Sequence, residues 1–492
     1  MPAGVSSFSF TALLPIGVVP SRMDSVFRDP NAIRRDLNPA SKLSQTVATE
    51  FLLNSISATG TAAGSVIASP SKKDPDYFFH WIRDAALTMN TVVDLYKTSQ
   101  TDSERSRYQK ILDDYARFSA QNQLTKNPSG QAERERTKTN EWNLFDVGEP
   151  KFEVDGSAYK GAWGRPQDDG PALRVITLMR YADHLANQQG PQALIANHQE
   201  LLSVIALDLE YIAKNWQNPN FEPWEEVYGH HFYTKLVQRR ALIMGTSLAE
   251  LLGDFITAKR YAAATEALEK EIHRHWDKHS DYLRATLSEN RGQRPVKDSE
   301  LDSQVLLAAL HADGVDDFYS VTNDRILATA FRLIQTFRQT YEINRAELPG
   351  TVIGRYAEDT YWGGNPWVLT TAGLGELYFR SAAAFVKKGE IRITNENFNF
   401  FNFVLNEANA PLRVASGQIF STTDSRFALI CSALLLAGED QLLQIHYHAN
   451  LDGALSEQID RNTGYMMAAP HLTWSYASYL TLLRAKELTI AV

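Results

Sequence analysis

Two adjacent carboxylates, Glu225 and Glu226, stand in the stretch Phe221-Glu222-Pro223-Trp224-Glu225-Glu226-Val227-Tyr228-Gly229. Neighbouring acids do not ionise independently, because the first charge raises the pKa of the second. One of the two is therefore a candidate proton donor at neutral or mildly acid pH. An apolar helical pattern begins near Phe232, so the stretch reads as a loop opening onto a helix. Such a loop can hold both acids at the edge of a cavity. The bland alternative is an acidic helix start favoured by the macrodipole, and for this stretch alone that is the commoner arrangement.

Four further stretches shift the weight. Asp74-Pro75-Asp76-Tyr77-Phe78-Phe79-His80-Trp81-Ile82-Arg83-Asp84 enters a helix near Ala85. Its adjacent Arg83 and Asp84 offer five donors and a bidentate acceptor, which suits sugar hydroxyls; a surface ion pair capping a helix would look the same. Gly148-Glu149-Pro150-Lys151-Phe152 is followed by Gly161-Ala162-Trp163-Gly164-Arg165-Pro166-Gln167-Asp168-Asp169-Gly170-Pro171. Glycine and proline at this density fix an irregular loop around Trp163 and Arg165, for a ligand or for packing alone. Gly354-Arg355-Tyr356-Ala357-Glu358-Asp359-Thr360-Tyr361, continuing to Gly364-Asn365-Pro366-Trp367, again joins a guanidinium, carboxylates and rings in a turn. Last come Leu455-Ser456-Glu457-Gln458 and Leu472-Thr473-Trp474-Ser475-Tyr476, where Glu457 read singly is an exposed loop acid.

The elements that must position these residues are helical. Apolar periodicity recurs near 42–58, 83–98, 103–122, 170–188, 196–216, 231–254, 257–277, 300–312, 321–340, 367–388, 421–438 and 473–487. Residues 1 to about 40 lack it and read as an extension laid over a single domain spanning 41–492. No short repeat recurs, which argues against a solenoid. Nearly every long loop carries a Trp, Arg or carboxylate cluster, as expected when several loops converge on one pocket. The pattern favours a closed ring of helices with its site on one face.

Composition narrows the partners. The net charge of -9 argues against nucleic acid and against an acidic polymer, leaving a neutral substrate. Nine Trp and twenty Tyr suit stacking on sugar faces, although most of these rings belong in the core. Cys431 is the only cysteine, so no intrachain disulfide forms, and its apolar neighbours predict a buried, inert thiol. Residues 8–20 are apolar but broken by Pro15, with no basic residue before them. They make a poor signal peptide and are too short to span a membrane. Asn127-Pro128-Ser129 is excluded as a glycosylation acceptor by its proline. These features lean towards an intracellular chain, vacuolar or cytoplasmic, with secretion as the alternative.

The five segments, in this order, resemble the glucoamylases of glycoside hydrolase family 15, from about Ser41 to the C-terminus. The likeness is greatest to yeast-type members that consist of the catalytic domain alone, and no segment resembles a starch-binding domain or its linker. The resemblance implies an all-α, (α/α)6 barrel of six outer and six inner helices, with a pocket at one end of the inner ring. It implies exo-acting release of β-glucose from α-1,4-linked glucans or maltooligosaccharides, more slowly at α-1,6 links, with inversion. Inversion calls for two carboxyl groups roughly 6.5–9.5 Å apart, leaving room for a water. By motif position Glu225 matches the general acid and Glu457 the general base. Glu226 matches a substrate-binding carboxylate whose charge helps keep Glu225 protonated. Arg83 and Asp84 match the pair that grips the terminal glucose, and Arg355, with Asp359 near it, the group binding the same or next unit. Tyr77 and Trp81 are expected to line the innermost subsite, Trp163 to lie over the acid, and Trp224, Trp367 and Trp474 to form further walls. A monomer without metal or organic cofactor is implied, with no membrane partner. His80, Ile82, Pro223 and Ala357 depart from the residues usual at these places. Two alternatives stay open: an isomaltose- or trehalose-preferring glycosidase on the same barrel, and a noncatalytic glucan-binding regulator. The second is disfavoured because Glu225 and Glu457 both stand in intact motifs.

Overall fold

Helices form where apolar residues recur every three or four positions. Along Asp324–Thr340 the buried stripe comprises Ile326, Leu327, Ala330, Leu333, Ile334 and Phe337. The computed structural model describes residues 41–287, 297–312, 316–345 and 348–490; the expected extension over 1–40 lies outside the described residues. Within them run α1 (Gln45–Asn54), α2 (Ile82–Thr98), α3 (Asp102–Leu124), α4 (Gln131–Thr137), α5 (Asp169–Gln189), α6 (Pro191–Asn197), α7 (Gln199–Asn215) and α8 (Phe232–Leu251). The second half adds α9 (Phe255–His273), α10 (Gln304–His311), α11 (Asp324–Thr340), α12 (Val368–Lys388), α13 (Phe398–Glu407), α14 (Ser425–His448) and α15 (Thr473–Ile490).

Packing closes these helices into two rings. Helices α2, α5, α8, α10, α12 and α15 each lie against the next, and α15 returns to α2. Outside them α1 packs on α15, α3 on α2, α7 on α5, α9 on α8, α11 on α10 and α14 on α12. This is the (α/α)6 arrangement. All twelve segments expected from periodicity are helices, although α14 continues well past the expected end at 438. Helix α13 escaped the sequence reading because Phe398-Asn399-Phe400-Phe401-Asn402-Phe403 alternates almost with the period of a strand.

The inner helices are buried over most of their length because both of their faces are covered, with polar side chains among the buried ones. Every residue of α12 from Val368 to Phe379 is buried. The outer layer sits close: a Cβ added at Gly438 of α14 would lie 2.8 Å from the Phe379 ring. Helix α14 is apolar and long enough by composition to cross a membrane, yet here Phe427, Ile430, Leu434 and Leu442 are buried in the protein. Cys431, on the same helix, is buried, and burial pushes its thiol up to about 12.

Short ribbons brace the loops that lead into the inner ring. His80–Trp81 pairs with Lys151–Phe152, Asn220-Phe221 with Tyr228-Gly229, and Gln458–Ile459 with Met466–Met467. Each of the five constellations immediately precedes, or opens, an inner helix: α2, α5, α8, α12 or α15. The sixth inner helix, α10, follows Lys297 and Asp302. The N-terminal ends of the inner ring therefore share one face.

Candidate active site

The hairpin that leads into α8 shapes the first carboxylate. Between its two strands the chain must turn at Glu225, which adopts φ +70, a region that side chains other than glycine rarely enter. Gly164 packs against this turn, where an added Cβ would sit 3.1 Å from the Glu225 carbonyl oxygen. Glu225 Oε1 accepts the Trp81 indole N–H at 2.8 Å and the Gln167 amide at 3.0 Å, and Arg83 stands 3.5 Å from the same oxygen. The side chain keeps 18% of its surface exposed.

Glu226 goes elsewhere. Its Oε1 accepts Arg355 at 2.8 Å and its Oε2 the Tyr356 hydroxyl at 2.7 Å. Arg355 is also held by both oxygens of Asp359, at 2.8 and 2.6 Å. The adjacent acids are thus held by separate sets of partners.

Glu457 lies just ahead of a ribbon strand and is only 1% exposed. Burial pushes its carboxyl up to about 7; the Tyr77 hydroxyl, the Arg355 charge and the Gln458 amide pull the other way. The Gln458 bond measures 3.1 Å. Tyr77 also meets the Tyr361 hydroxyl at 2.7 Å, and its ring lies 5.4 Å from that of Trp81. Tyr77 and Trp81 therefore stand between the two carboxylates, the Trp81 indole donating to Glu225 and the Tyr77 hydroxyl acting electrostatically on Glu457.

Arg83, in the first turn of α2, donates to Gln167 at 2.9 Å and pairs with Asp84 at 3.3 Å and Asp169 at 3.5 Å. Burial raises the Asp84 carboxyl to about 6, with the Arg83 charge opposing it. Behind Arg355 the rings of Trp224 and Trp367 lie 5.7 Å apart, and Trp474 stacks on Trp224 at 6.2 Å. All three are largely buried. Trp163 sits edge-on to Trp81 at 5.8 Å, and Lys151 lies 3.7 Å above the Trp163 ring and 4.3 Å above Trp81. The buried indole N–H groups of Trp163 and Trp367 have no hydrogen-bond partner among the described residues. Among the described residues no group of three or more His, Cys, Asp or Glu is disposed to hold a metal ion.

Every site residue expected from the sequence falls in this one region, linked to the others through the contacts above. Sequence reasoning missed Gln167, Asp169, Glu222, Tyr356, Tyr361, Lys297 and Asp302 as site residues. Gln167, Asp169, Glu222, Tyr356 and Tyr361 lie inside the quoted stretches, where an amide, hydroxyl or further carboxylate beside a charged residue is an ordinary loop feature. Lys297 and Asp302 had no signal beyond a polar run before an apolar helix.

The sequence profile of "Glycosyl hydrolases family 15" matches residues 46–484. A protein from Blastobotrys adeninivorans named glucoamylase is 33% identical, over 97% of this chain and 75% of its own length. Glucoamylase 1 of Rhizopus oryzae is 35% identical, over 88% of this chain and 68% of its own. The solved glucoamylase of Saccharomycopsis fibuligera superposes with a TM-score of 0.81 at 29% identity, covering 92% of this chain and 98% of that one.

Proposed function

This chain belongs to glycosyl hydrolase family 15, and from that premise we propose an exo-acting, inverting hydrolysis in which Glu225 is the general acid and Glu457 the general base. The activity is that of a glucan 1,4-α-glucosidase, releasing glucose from starch-type chains. The observation that carries the assignment is this arrangement: two carboxylates from distant loops, with Trp81 and Tyr77 standing between them.

The chemistry divides between them. Glu225 Oε1 already takes the Trp81 and Gln167 donors, so the proton to be transferred sits on Oε2 and passes to the glycosidic oxygen. Glu457 takes a proton from the water that attacks the anomeric carbon, and the product emerges as β-glucose. Arg83 and Asp84, braced by Gln167 and Asp169, bind hydroxyls of the terminal glucose. Arg355, held by Asp359 and Glu226, binds the same or the next unit. Tyr77 and Trp81 line the innermost subsite, with Trp163, Trp224, Trp367 and Trp474 as outer walls. The unpaired indole N–H groups of Trp163 and Trp367 suit a polyhydroxylated ligand.

Proton NMR of fresh product from maltotriose tests the mechanism. The β-anomer of glucose is expected first; α-glucose appearing first would reject inversion and the acid–base pair together.

The Tyr77 hydroxyl gives a pH test. It lowers the Glu457 carboxyl against the upward push of burial, so its removal in Tyr77→Phe raises that group further. A general base works only when ionised, so its activity is present above its pKa and lost below it. The acid limb of kcat/KM against pH is therefore expected to move to higher pH in Tyr77→Phe. An unmoved acid limb would show that the Tyr77 hydroxyl does not tune the group that sets it.

A further inference from the structure

Behind the turn that carries Glu225 and Glu226 lies a buried charge cluster that the mechanism above leaves without a task. Glu222 opens that turn and holds it at both ends. Its carbonyl accepts the Glu225 N–H at 2.8 Å, and its own N–H donates to the Val227 carbonyl at 3.2 Å. Its Oε1 accepts the N–H groups of Glu226 and Val227 at 3.2 and 3.3 Å. These bonds brace a turn in which Glu225 stands at φ +70.

The other oxygen of Glu222 faces Lys297. Lys297 Nζ reaches Glu222 Oε2 at 2.7 Å and Asp302 Oδ2 at 3.1 Å, and Gln304 donates to both oxygens at 3.0 Å. Asp302 in turn accepts the Trp224 indole at 2.9 Å. Lys297 also stands 3.8 Å from Glu226 and 4.1 Å above the ring of Tyr356, whose hydroxyl donates to Glu226. Glu222, Asp302, Gln304 and Lys297 are all buried. Among the described residues Lys297 is the only cation within ion-pair distance of Glu222 or Asp302. Without it two buried carboxylates would lose their counter-charge, and such groups protonate or move.

We propose that Lys297 is a positioning residue for the proton donor: through Glu222 it fixes the backbone of residues 225–227, and through Asp302 it fixes the Trp224 ring. It acts through these two carboxylates rather than on substrate. The inference rests on Glu225 being the general acid. Proton delivery to a glycosidic oxygen tolerates little displacement, since a 1 Å error costs on the order of 10²-fold in rate.

The test compares two substrates. Maltose needs the leaving oxygen protonated, whereas fluoride departs from α-glucosyl fluoride with little help from an acid. The readout is the ratio of kcat/KM on maltose to that on the fluoride, for each variant whose thermal melt shows it folded. Lys297→Met is expected to lower the ratio by on the order of 10²-fold, as for a misplaced donor. Lys297→Arg, which keeps the charge, should retain most of the ratio. Where Lys297→Met does not fold, Lys297→Met combined with Glu222→Gln removes opposite charges together and keeps the Oε1 acceptor; its ratio should still fall below wild type. An unchanged ratio in the folded variants, whether both activities drop together or neither does, overturns the proposal. A wild-type protein idle on both substrates overturns the glucosidase reading itself, before any variant is compared.

Discussion

Glu225→Gln is expected to lower kcat/KM on maltose by on the order of 10²–10⁴-fold, the range for loss of a general acid. The replacement is nearly isosteric and keeps a carbonyl oxygen where Oε1 now accepts the Trp81 and Gln167 donors at 2.8 and 3.0 Å. The turn and its φ of +70 should therefore survive, and a thermal melt close to wild type would show it. What the amide lacks is an acidic proton for the departing oxygen. On α-glucosyl fluoride, where the leaving group departs with little protonation, most of the rate should remain. Near-normal turnover of maltose would remove Glu225 from the acid role.

Glu457→Gln should behave differently in one decisive respect. A loss on the order of 10²–10⁴-fold is again expected, the range for a general base, but on both substrates. Water must give up its proton whichever group leaves, so a better leaving group offers no relief. The Gln458 bond at 3.1 Å and the Tyr77 hydroxyl need local rearrangement around the new amide, yet neither holds a helix in place. Steady-state rates on maltose and α-glucosyl fluoride, measured side by side for the two variants, separate the roles. If the fluoride rate is spared in Glu457→Gln, the base assignment fails.

The ring of helices was readable because burial on one face imposes a 3.6-residue period, and an outer helix such as α11 obeys it closely. Helix α13 was hidden because its phenylalanines alternate with asparagines. In the site, adjacency along the chain left one thing hidden. Glu225 and Glu226 are adjacent, yet their side chains meet separate partners, Trp81 and Gln167 for one, Arg355 and Tyr356 for the other, a division that adjacency does not reveal. Lys297 shows the opposite failure. It meets Glu222 across 75 positions of sequence, and a solitary lysine before a helix carries no mark of a buried partner. Local chemistry is legible in sequence, whereas the choice of partner for a buried charge is made by packing.

Closure of the inner ring has a consequence in time. Glu225 comes from the loop before α8, Glu457 from the loop before α15, and the ring shuts only when α15 docks on α2. The residues that span the two carboxylates, Tyr77 and Trp81, lie near the opposite end of the sequence, just ahead of α2. During synthesis, which runs at about 5–20 residues per second, a nascent chain that has released α8 already holds its acid but has no base to face it. Only when the last helix clears the ribosome can the first and last inner helices meet. Activity therefore arrives late and all at once, and a chain stalled before α15 is inert however well its earlier helices have paired.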